Sequence, residues 1–188
     1  FTIYSGNSDN IKERIERGLL DVGLLQEPVD ITRYSFVRTP VREEWGILVR
    51  EDSPLAFKSS VSPEDLAGVP LILPSRENVQ NELLNWFGPH AEHLHITATG
   101  NLLYNLAFLA RDSGSCVLTL NLDCSYEGLR FVPLSPKMES GTVLVWKKAE
   151  TFSPAATAVL AYARDFISGK ETAEKELSGK AASETELL

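Results

Sequence analysis

The sequence is short of the features that mark several common classes of protein. It has two cysteines among 188 residues, too few for the disulfide framework of a small secreted domain. No apolar run approaches the roughly 20 residues that cross a bilayer, which excludes a membrane-spanning helix. The chain also lacks a basic start followed by an apolar core, the pattern of a signal peptide. We interpret Cys116 and Cys124 as reduced thiols, one of them in the core.

Positive charge is also in short supply. Lys and Arg number 18 against 26 Asp and Glu, which gives a formal net charge of -8 at pH 7. Nucleic-acid binding needs a clustered basic surface that displaces counterions from phosphates, whereas the basic residues here occur as singles and pairs. We therefore expect this chain not to bind DNA by itself, and any DNA contact to come from another domain.

Catalytic motifs are missing as well. The sequence has no Gly-x-Ser-x-Gly elbow, no phosphate-binding glycine loop and no His-Glu-x-x-His motif. Three histidines could be arranged with Glu92 as a metal site, but a structural zinc site usually adds cysteines or a tighter spacing, so exposed histidines are favoured: His90, His93 and His95. We expect no enzymatic activity, no metal and no cofactor.

What the chain does contain is an alternation of strand and helix patterns. Phe1–Tyr4 is apolar and β-prone, a polar turn follows at Ser5–Ser8, and from Ile11 an apolar residue recurs at every fourth position. The run Leu19–Leu25 is almost wholly apolar, as in a strand covered on both faces. These residues predict a β-α-β unit in a parallel sheet. The chain is long enough to bury roughly two-thirds of its unfolded surface in one domain or two lobes.

Later segments continue the alternation. A helix over Leu102–Arg111 is apolar almost all round, so we expect it to be largely buried. Ser153 and Pro154 are typical of the start of a further helix. The remaining patterns predict a short helix at 62–68, a helix near 79–87 and strands at 34–39, 44–50, 69–73, 94–99, 129–134 and 142–147.

Three junctions between a loop and a helix could direct main-chain N–H groups toward one ligand. Helix N-termini carry partial positive charge and unpaired donors, and Arg76 could hold a carboxylate through charge-assisted hydrogen bonds. From the residues alone, simple helix capping is the favoured interpretation. The junctions are Gly6-Asn7-Ser8, Pro74-Ser75-Arg76 and Thr99-Gly100-Asn101.

Five segments in order resemble the effector-binding domain of LysR-type transcriptional regulators, and together they cover about residues 1–167. Each segment alone is modestly specific to this family, and the five segments in this order are specific to it. One departs from the family pattern, because serines replace two usual glycines and Leu120 replaces a proline. The segments are Ser5–Leu24, Ser53–Ala56, Val61–Ile72, Ser113–Leu120 and Phe152–Phe166.

The resemblance implies an α/β fold of two lobes like type 2 periplasmic binding proteins, each a mixed sheet flanked by helices. Lobe I would comprise 1–52 and 141–168, incomplete at its N-terminus, lobe II would comprise 53–140, and 169–188 would be a polar tail. Because this family binds effectors between its lobes, the resemblance favours ligand contact over simple capping. The expected effector-binding residues are Asn7, Ser8, Ser75, Arg76, Asn78, Thr99, Gly100 and Asn101.

The resemblance also implies a function. We expect a cytoplasmic bacterial domain that senses a small anionic metabolite, forms a homodimer or homotetramer and controls transcription. DNA would be bound through an N-terminal winged helix-turn-helix domain outside this chain, and no membrane would be involved. A few peroxide-sensing members switch by forming a disulfide, which leaves a minor redox alternative for the two cysteines. The alternative function is a solute-binding protein of a transport system with the same two lobes.

Overall fold

A computed structural model describes residues 1–148, 151–167 and 169, and its contacts divide the chain into two units. Unit 1 contains Phe1–Val41 and the described residues from Gly141 onward, while unit 2 is the continuous segment Arg42–Ser140. The polar tail predicted at 169–188 lies outside the described residues, apart from residue 169.

Unit 1 contains a pair of antiparallel strands. Strand β1 pairs with β7, with Leu25 opposite Val143, and β7 has β2 as its other neighbour. The last helix begins with the predicted serine cap, since the Ala156 N–H donates to Ser153 Oγ at 3.2 Å. The elements that contribute to this unit are α1 (Ser8–Glu16), β1 (Val22–Gln26), the first part of β2 (Tyr34–Arg50), the end of β7 (Glu139–Lys147) and α4, described over 154–167.

Helix α1 packs on β1 through the apolar stripe that the sequence predicts. Ile11 and Ile15 are buried, and each lies directly over Gly23. A Cβ at Gly23 would stand 2.6 Å from Ile11 Cγ2 and 2.9 Å from Ile15 Cδ1. Because such distances are too short for real carbon contacts, the helix approaches this closely only over a residue without a side chain.

The predicted β-α-β unit is wrong in two respects. Phe1–Tyr4 forms no strand and is exposed, because no strand in the described part of the chain supplies it with a hydrogen-bonding ladder. Strand β1 is covered on one face only, and Leu24 is 55% exposed. A continuous apolar run therefore does not by itself show that both faces of a strand are buried.

Unit 2 contains a five-stranded mixed sheet in the order β6-β2-β5-β3-β4. Strands β3, β4 and β5 are parallel, and β2 runs antiparallel to both β5 and β6. The remaining elements are β3 (Pro70–Pro74), α2 (Glu77–Phe87), β4 (His95–Gly100), α3 (Leu103–Ser113), β5 (Cys116–Leu120) and β6 (Leu129–Pro133), with short 3-10 helices at Pro54–Phe57, Glu64–Leu66 and Gly88–His93.

Helices cover both faces of this sheet, as the alternation of side chains along a strand requires. Ile47 faces the cluster that contains Leu83 and Phe87 of α2. Its neighbour Leu48 faces the opposite cluster, which contains Ala107 of α3. Each fully buried side chain of the size of leucine or phenylalanine stabilises the fold by about 1.5–3 kcal/mol, so these two clusters anchor unit 2.

Helix α3 is less buried than its composition predicts. Its buried residues are Ala107 and Ala110, whereas Tyr104, Phe108 and Leu109 are exposed. Ala107 and Ala110 lie against the sheet, with the partly buried Leu103 and Leu106 beside them. The expectation of a largely buried helix is therefore wrong, because apolar composition does not determine which face of a helix packs.

The division between the units falls earlier in the chain than the expected boundary after Asp52. Two separate strands were expected at 34–39 and 44–50, but β2 is one continuous strand over Tyr34–Arg50. Its second half pairs with β5 and β6, so the contacts assign Arg42 and the residues that follow it to unit 2. The second crossing, at Ser140 and Gly141, coincides with the start of the expected second segment of lobe I.

Candidate functional site

The carboxyl ends of β3 and β4 lie side by side in unit 2. Pro74 is opposite Gly100 in the parallel ladder, and the Ser75 N–H donates to the Gly100 carbonyl at 2.8 Å. Parallel strands deliver their following loops to one edge of the sheet, which is where α/β folds bind ligands. The structure thus brings together two of the three predicted junctions, with the residues Ser75, Arg76, Asn78, Thr99, Gly100 and Asn101.

Two helices begin at this edge. Arg76 is the N-cap residue of α2 and Leu102 is that of α3, and neither helix has a side-chain cap among the described residues. Asn101 is exposed and is not the predicted cap, because α3 begins later than expected. The first-turn N–H groups of both helices therefore give the edge partial positive charge, which the guanidinium of Arg76 reinforces.

The exposure of the candidate residues suits contact with a ligand. Ser75, Asn78 and Thr99 are exposed, whereas Arg76 and Gly100 are half-buried. The side chain of Gln80, one turn into α2, donates to the Pro74 carbonyl at 2.7 Å and holds the junction in place. The edge therefore combines a fixed backbone with accessible polar side chains.

The third junction belongs to unit 1 and is organised differently. The Asn7 side chain caps α1 by accepting a hydrogen bond from the Asn10 N–H at 2.9 Å. Ser8 is 4% exposed, and its hydroxyl donates to the Gln26 carbonyl at 3.3 Å. Both side chains therefore have structural roles in unit 1, and only Asn7 retains partial exposure.

One buried residue at the edge in unit 2, Trp45, escaped the sequence-based prediction. Trp45 pairs with Leu120, and the Asn121 N–H donates to the Glu44 carbonyl at 2.8 Å. Trp45 is 3% exposed, and its indole Nε1 has no hydrogen-bond partner among the described residues. Only the register of β2 against β5 places this buried donor near the carboxyl edge, so local sequence patterns could not have found it.

Ion pairs of this chain hold their carboxylates in the charged form. Hydrogen bonds from Lys58 lower the pKa of Asp65, whose Oδ1 lies 2.6 Å from Lys58 Nζ. Hydrogen bonds from Lys137 likewise lower the pKa of Glu139. Such groups are poor proton donors at neutral pH, and these exposed pairs behave as ordinary surface contacts.

The histidines are not gathered into a metal centre. His90 Nε2 lies 3.1 Å from Glu64 Oε1, whereas His95 lies in β4. Within the described residues, no group of three or more His, Cys, Asp or Glu side chains is placed to hold a metal ion. In the same part of the chain, no helix is both long and apolar enough to cross a membrane.

The mixed α/β fold described above agrees with the protein family that the sequence matches. The LysR substrate binding domain matches residues 1–168. The chain belongs to this family. Its members are ligand-sensing regulatory domains, and the match favours a regulator over the transport protein that was the alternative.

Solved structures with the same fold are LysR-family regulators. HinK from Pseudomonas aeruginosa is 19% identical over 88% of this chain and 59% of HinK, with a TM-score of 0.71. The effector binding domain of QuiR in complex with shikimate is 16% identical over 90% of this chain and 82% of that chain, with a TM-score of 0.77. The regulatory domain of CcmR from Synechocystis PCC6803, in complex with 2-PG, is 13% identical over 86% and 80%, with a TM-score of 0.70.

These likenesses show the fold. They confirm the mixed α/β class with the two-lobed periplasmic-binding-protein-like architecture of LysR effector-binding domains. The chain spans about 60% of the length of HinK and of another regulator from Pseudomonas aeruginosa. No curated protein matches the sequence closely enough to count as a relative.

Proposed function

We propose that this LysR substrate binding domain senses a small metabolite that carries a carboxylate. The observation that supports this most directly is the pair of helix N-termini without side-chain caps, beside Arg76 at the carboxyl edge of β3 and β4. Backbone donors and a guanidinium suit one anionic group. The other end of the ligand would be recognised by the exposed polar residues Ser75, Asn78, Thr99 and Asn101.

Asn7 and Ser8 have less freedom to contact a ligand than the residues of unit 2. Both lie at the start of α1 in unit 1 and have internal hydrogen bonds. The amide nitrogen of Asn7 is chemically able to donate to an anion while its oxygen caps the helix. Ser8 would act by fixing the turn rather than by touching the ligand.

The wider role of the domain follows from its family and charge. We propose that a longer protein carries a winged helix-turn-helix domain that binds DNA, since this chain has a net charge of -8. Two or four copies would assemble in the cytoplasm, and the ligand would favour one arrangement of them over another. A coupling of about 1–3 kcal/mol is typical for such a switch. The domain would act by binding, without a chemical step.

Thermal-shift measurement against a panel of small carboxylic acids tests the proposal. An acid that raises the melting temperature is then titrated calorimetrically into wild type and Arg76→Ala. A lost charge-assisted contact of about 1.5–3 kcal/mol weakens affinity roughly ten- to a hundredfold. The exposed Arg130→Ala variant in the same unit serves as the charge-matched control. Unchanged affinity in Arg76→Ala would remove Arg76 from the site.

A further inference from the structure

Unit 2 contains a second concave site, on its α3 face. A cavity of about 220 Å³ lies between α3 and the segment Asn121–Gly128, which connects β5 to β6. Its floor is formed by the buried residues Ala107 and Leu129. The other lining residues are Tyr104, Phe108, Arg111, Ser125, Tyr126 and Glu127.

The topology of the sheet explains why a cavity forms there. Strands β5 and β6 both run antiparallel to β2, so the connection between them must return along the whole length of a strand. It does so without a helix of its own, and Tyr126 from this connection packs on the cluster that contains Ala107 and Ala110. Because this connection is irregular, it does not pack evenly against α3. The large side chains of α3 border the gap that remains without filling it.

This cavity begins at Tyr104, in the first turn of α3, and extends away from the carboxyl edge. Its floor residue Leu129 pairs with Arg50, whereas the edge is marked by the pairing of Trp45 with Leu120. Five residues of β2 separate the two positions, which corresponds to about 17 Å at roughly 3.4 Å per residue. All lining residues lie within unit 2, so the cavity is complete within a single unit.

Aromatic rings dominate the walls. The rings of Tyr104 and Phe108 meet edge to face with centroids 4.9 Å apart. Tyr126 also lines the cavity, and burial raises the pKa of its phenol. Both Tyr104 and Phe108 remain substantially exposed, at 63% and 41%. Rings in this arrangement offer flat apolar surfaces to a planar guest.

One cation accompanies the rings. The Arg111 guanidinium carbon lies 4.8 Å from the centroid of the Phe108 ring, and Arg111 Nε donates to Asp112 Oδ1 at 3.3 Å. The stack and the hydrogen bond hold the guanidinium at the wall of the cavity. Two carboxylates lie near this cation, Asp112 as its ion-pair partner and Glu127 in the cavity lining, and both are exposed, so solvent screens their charges.

We propose that this cavity binds a small molecule with a single aromatic ring and one anionic group. The ring would insert between Tyr104, Phe108 and Tyr126, and the anion would face Arg111. The volume suits this class, because apolar cavities of about 150 Å³ already hold benzene and an anionic substituent needs little more. Apart from Tyr104, in the first turn of α3, the residues that line this cavity are not among those proposed for the effector site.

Three probes of equal size and different charge test the proposal. Benzoate, benzyl alcohol and benzylamine are titrated into the ¹⁵N-labelled chain, and amide shifts are followed by NMR. We expect benzoate to shift saturably the amides of Ala107–Arg111 and Ser125–Leu129, and to bind at least fivefold more tightly than benzylamine. Benzoate shifts confined to the residues around Arg76, or absent everywhere, would overturn the proposal.

Two variants separate the ring from the charge. Arg111→Met keeps the aliphatic stem and should weaken benzoate at least fivefold while leaving benzyl alcohol unchanged, with Arg130→Met as the charge-matched control. Tyr104→Ala removes an exposed ring and should weaken benzoate and benzyl alcohol alike. Equal benzoate affinity in wild type and Arg111→Met overturns the role of Arg111. Retained affinity of both probes in Tyr104→Ala overturns the aromatic site.

Discussion

Gly46 lies in a part of unit 2 that has no room for a side chain. It lies in β2 between two partners, Thr119 of β5 and Pro133 of β6. A Cβ at this position would lie 2.5 Å from the Val132 carbonyl oxygen and would also overlap the ring of Phe131. Since the carbonyl belongs to a paired strand, it cannot move without disturbing the ladder.

Gly46→Ala should therefore destabilise the chain by about 2–3 kcal/mol, as overpacking in a core does. Gly23→Ala provides the comparison, because its added methyl would meet side-chain atoms of Ile11 and Ile15 rather than a backbone carbonyl. We expect that variant to lose only about 1 kcal/mol. Urea unfolding followed by circular dichroism measures both losses. Equal losses would show that the backbone at Gly46 yields as readily as side chains do.

The two cysteines differ in accessibility. Cys116 is buried in β5, and burial raises the pKa of its thiol to about 11, whereas Cys124 is exposed. At pH 8 a thiol reagent should thus modify one cysteine rapidly in the folded chain and both after unfolding. Cys124→Ala should remove the rapid reaction, and Cys116→Ala should preserve it. Rapid labelling of Cys116 would show that β5 opens readily.

Alkaline stability follows from the same burial. Well below pH 9 the Cys116 thiol is protonated in both states, so pH has no effect through this group. Between its ordinary pKa of 9.0 and the folded value of about 11, the unfolded thiol loses its proton first, and the free energy of unfolding falls as pH rises. The free energy of unfolding of Cys116→Ala should fall less between pH 8 and pH 11 than that of wild type, by an amount of the order of 2 kcal/mol. Parallel curves from urea titrations would contradict this.

At the scale of elements, the start of α1 distinguishes a cap from a ligand contact. Asn7→Ala removes the cap and should cost about 1 kcal/mol of stability. Asn7→Asp keeps a capping oxygen but replaces the amide donor with a negative charge. If Asn7 donates to the anionic effector, Asn7→Asp should retain the melting temperature and lose at least tenfold in affinity. Full affinity in Asn7→Asp would leave Asn7 with the capping role alone.

Sequence patterns correctly predicted the elements that depend on neighbouring residues alone. Helix α2 is correct, and it ends at Gly88, whose positive φ of 53° stops the helix. The meeting of Ser75 with Gly100 also followed from a general rule, because parallel strands end at one edge. The resemblance contributed the family, and the match over residues 1–168 confirms it.

Long-range pairing is where local prediction failed. Phe1–Tyr4 has β-prone residues but no partner strand in the described structure. The exposed face of α3 and the position of Trp45 depend on which strands are neighbours and in which register. The cavity beside Arg111 depends on an irregular connection that no periodicity describes. These features are set by tertiary contacts, which one sequence does not display.

At the scale of the whole molecule, the chain crosses between its units twice, at Val41 to Arg42 and at Ser140 to Gly141. Unit 2 is therefore one continuous segment, and unit 1 is assembled from two segments distant in sequence. Unit 2 also contains two hydrophobic clusters, one on each face of its sheet. In unit 1, by contrast, the ladder partner of β1 among the described strands is β7, from the other end of the chain.

This asymmetry predicts that the fragment 42–140 folds alone. Its sheet, its covering helices and both of its clusters lie within that segment, so no essential core contact is removed. We expect dispersed amide signals by NMR and a cooperative urea transition. The fragment 1–41 should stay unfolded, because β1 lacks β7 and an isolated helix of nine residues is marginal in water. A disordered 42–140 would mean that contacts with unit 1 are needed to complete the core of unit 2.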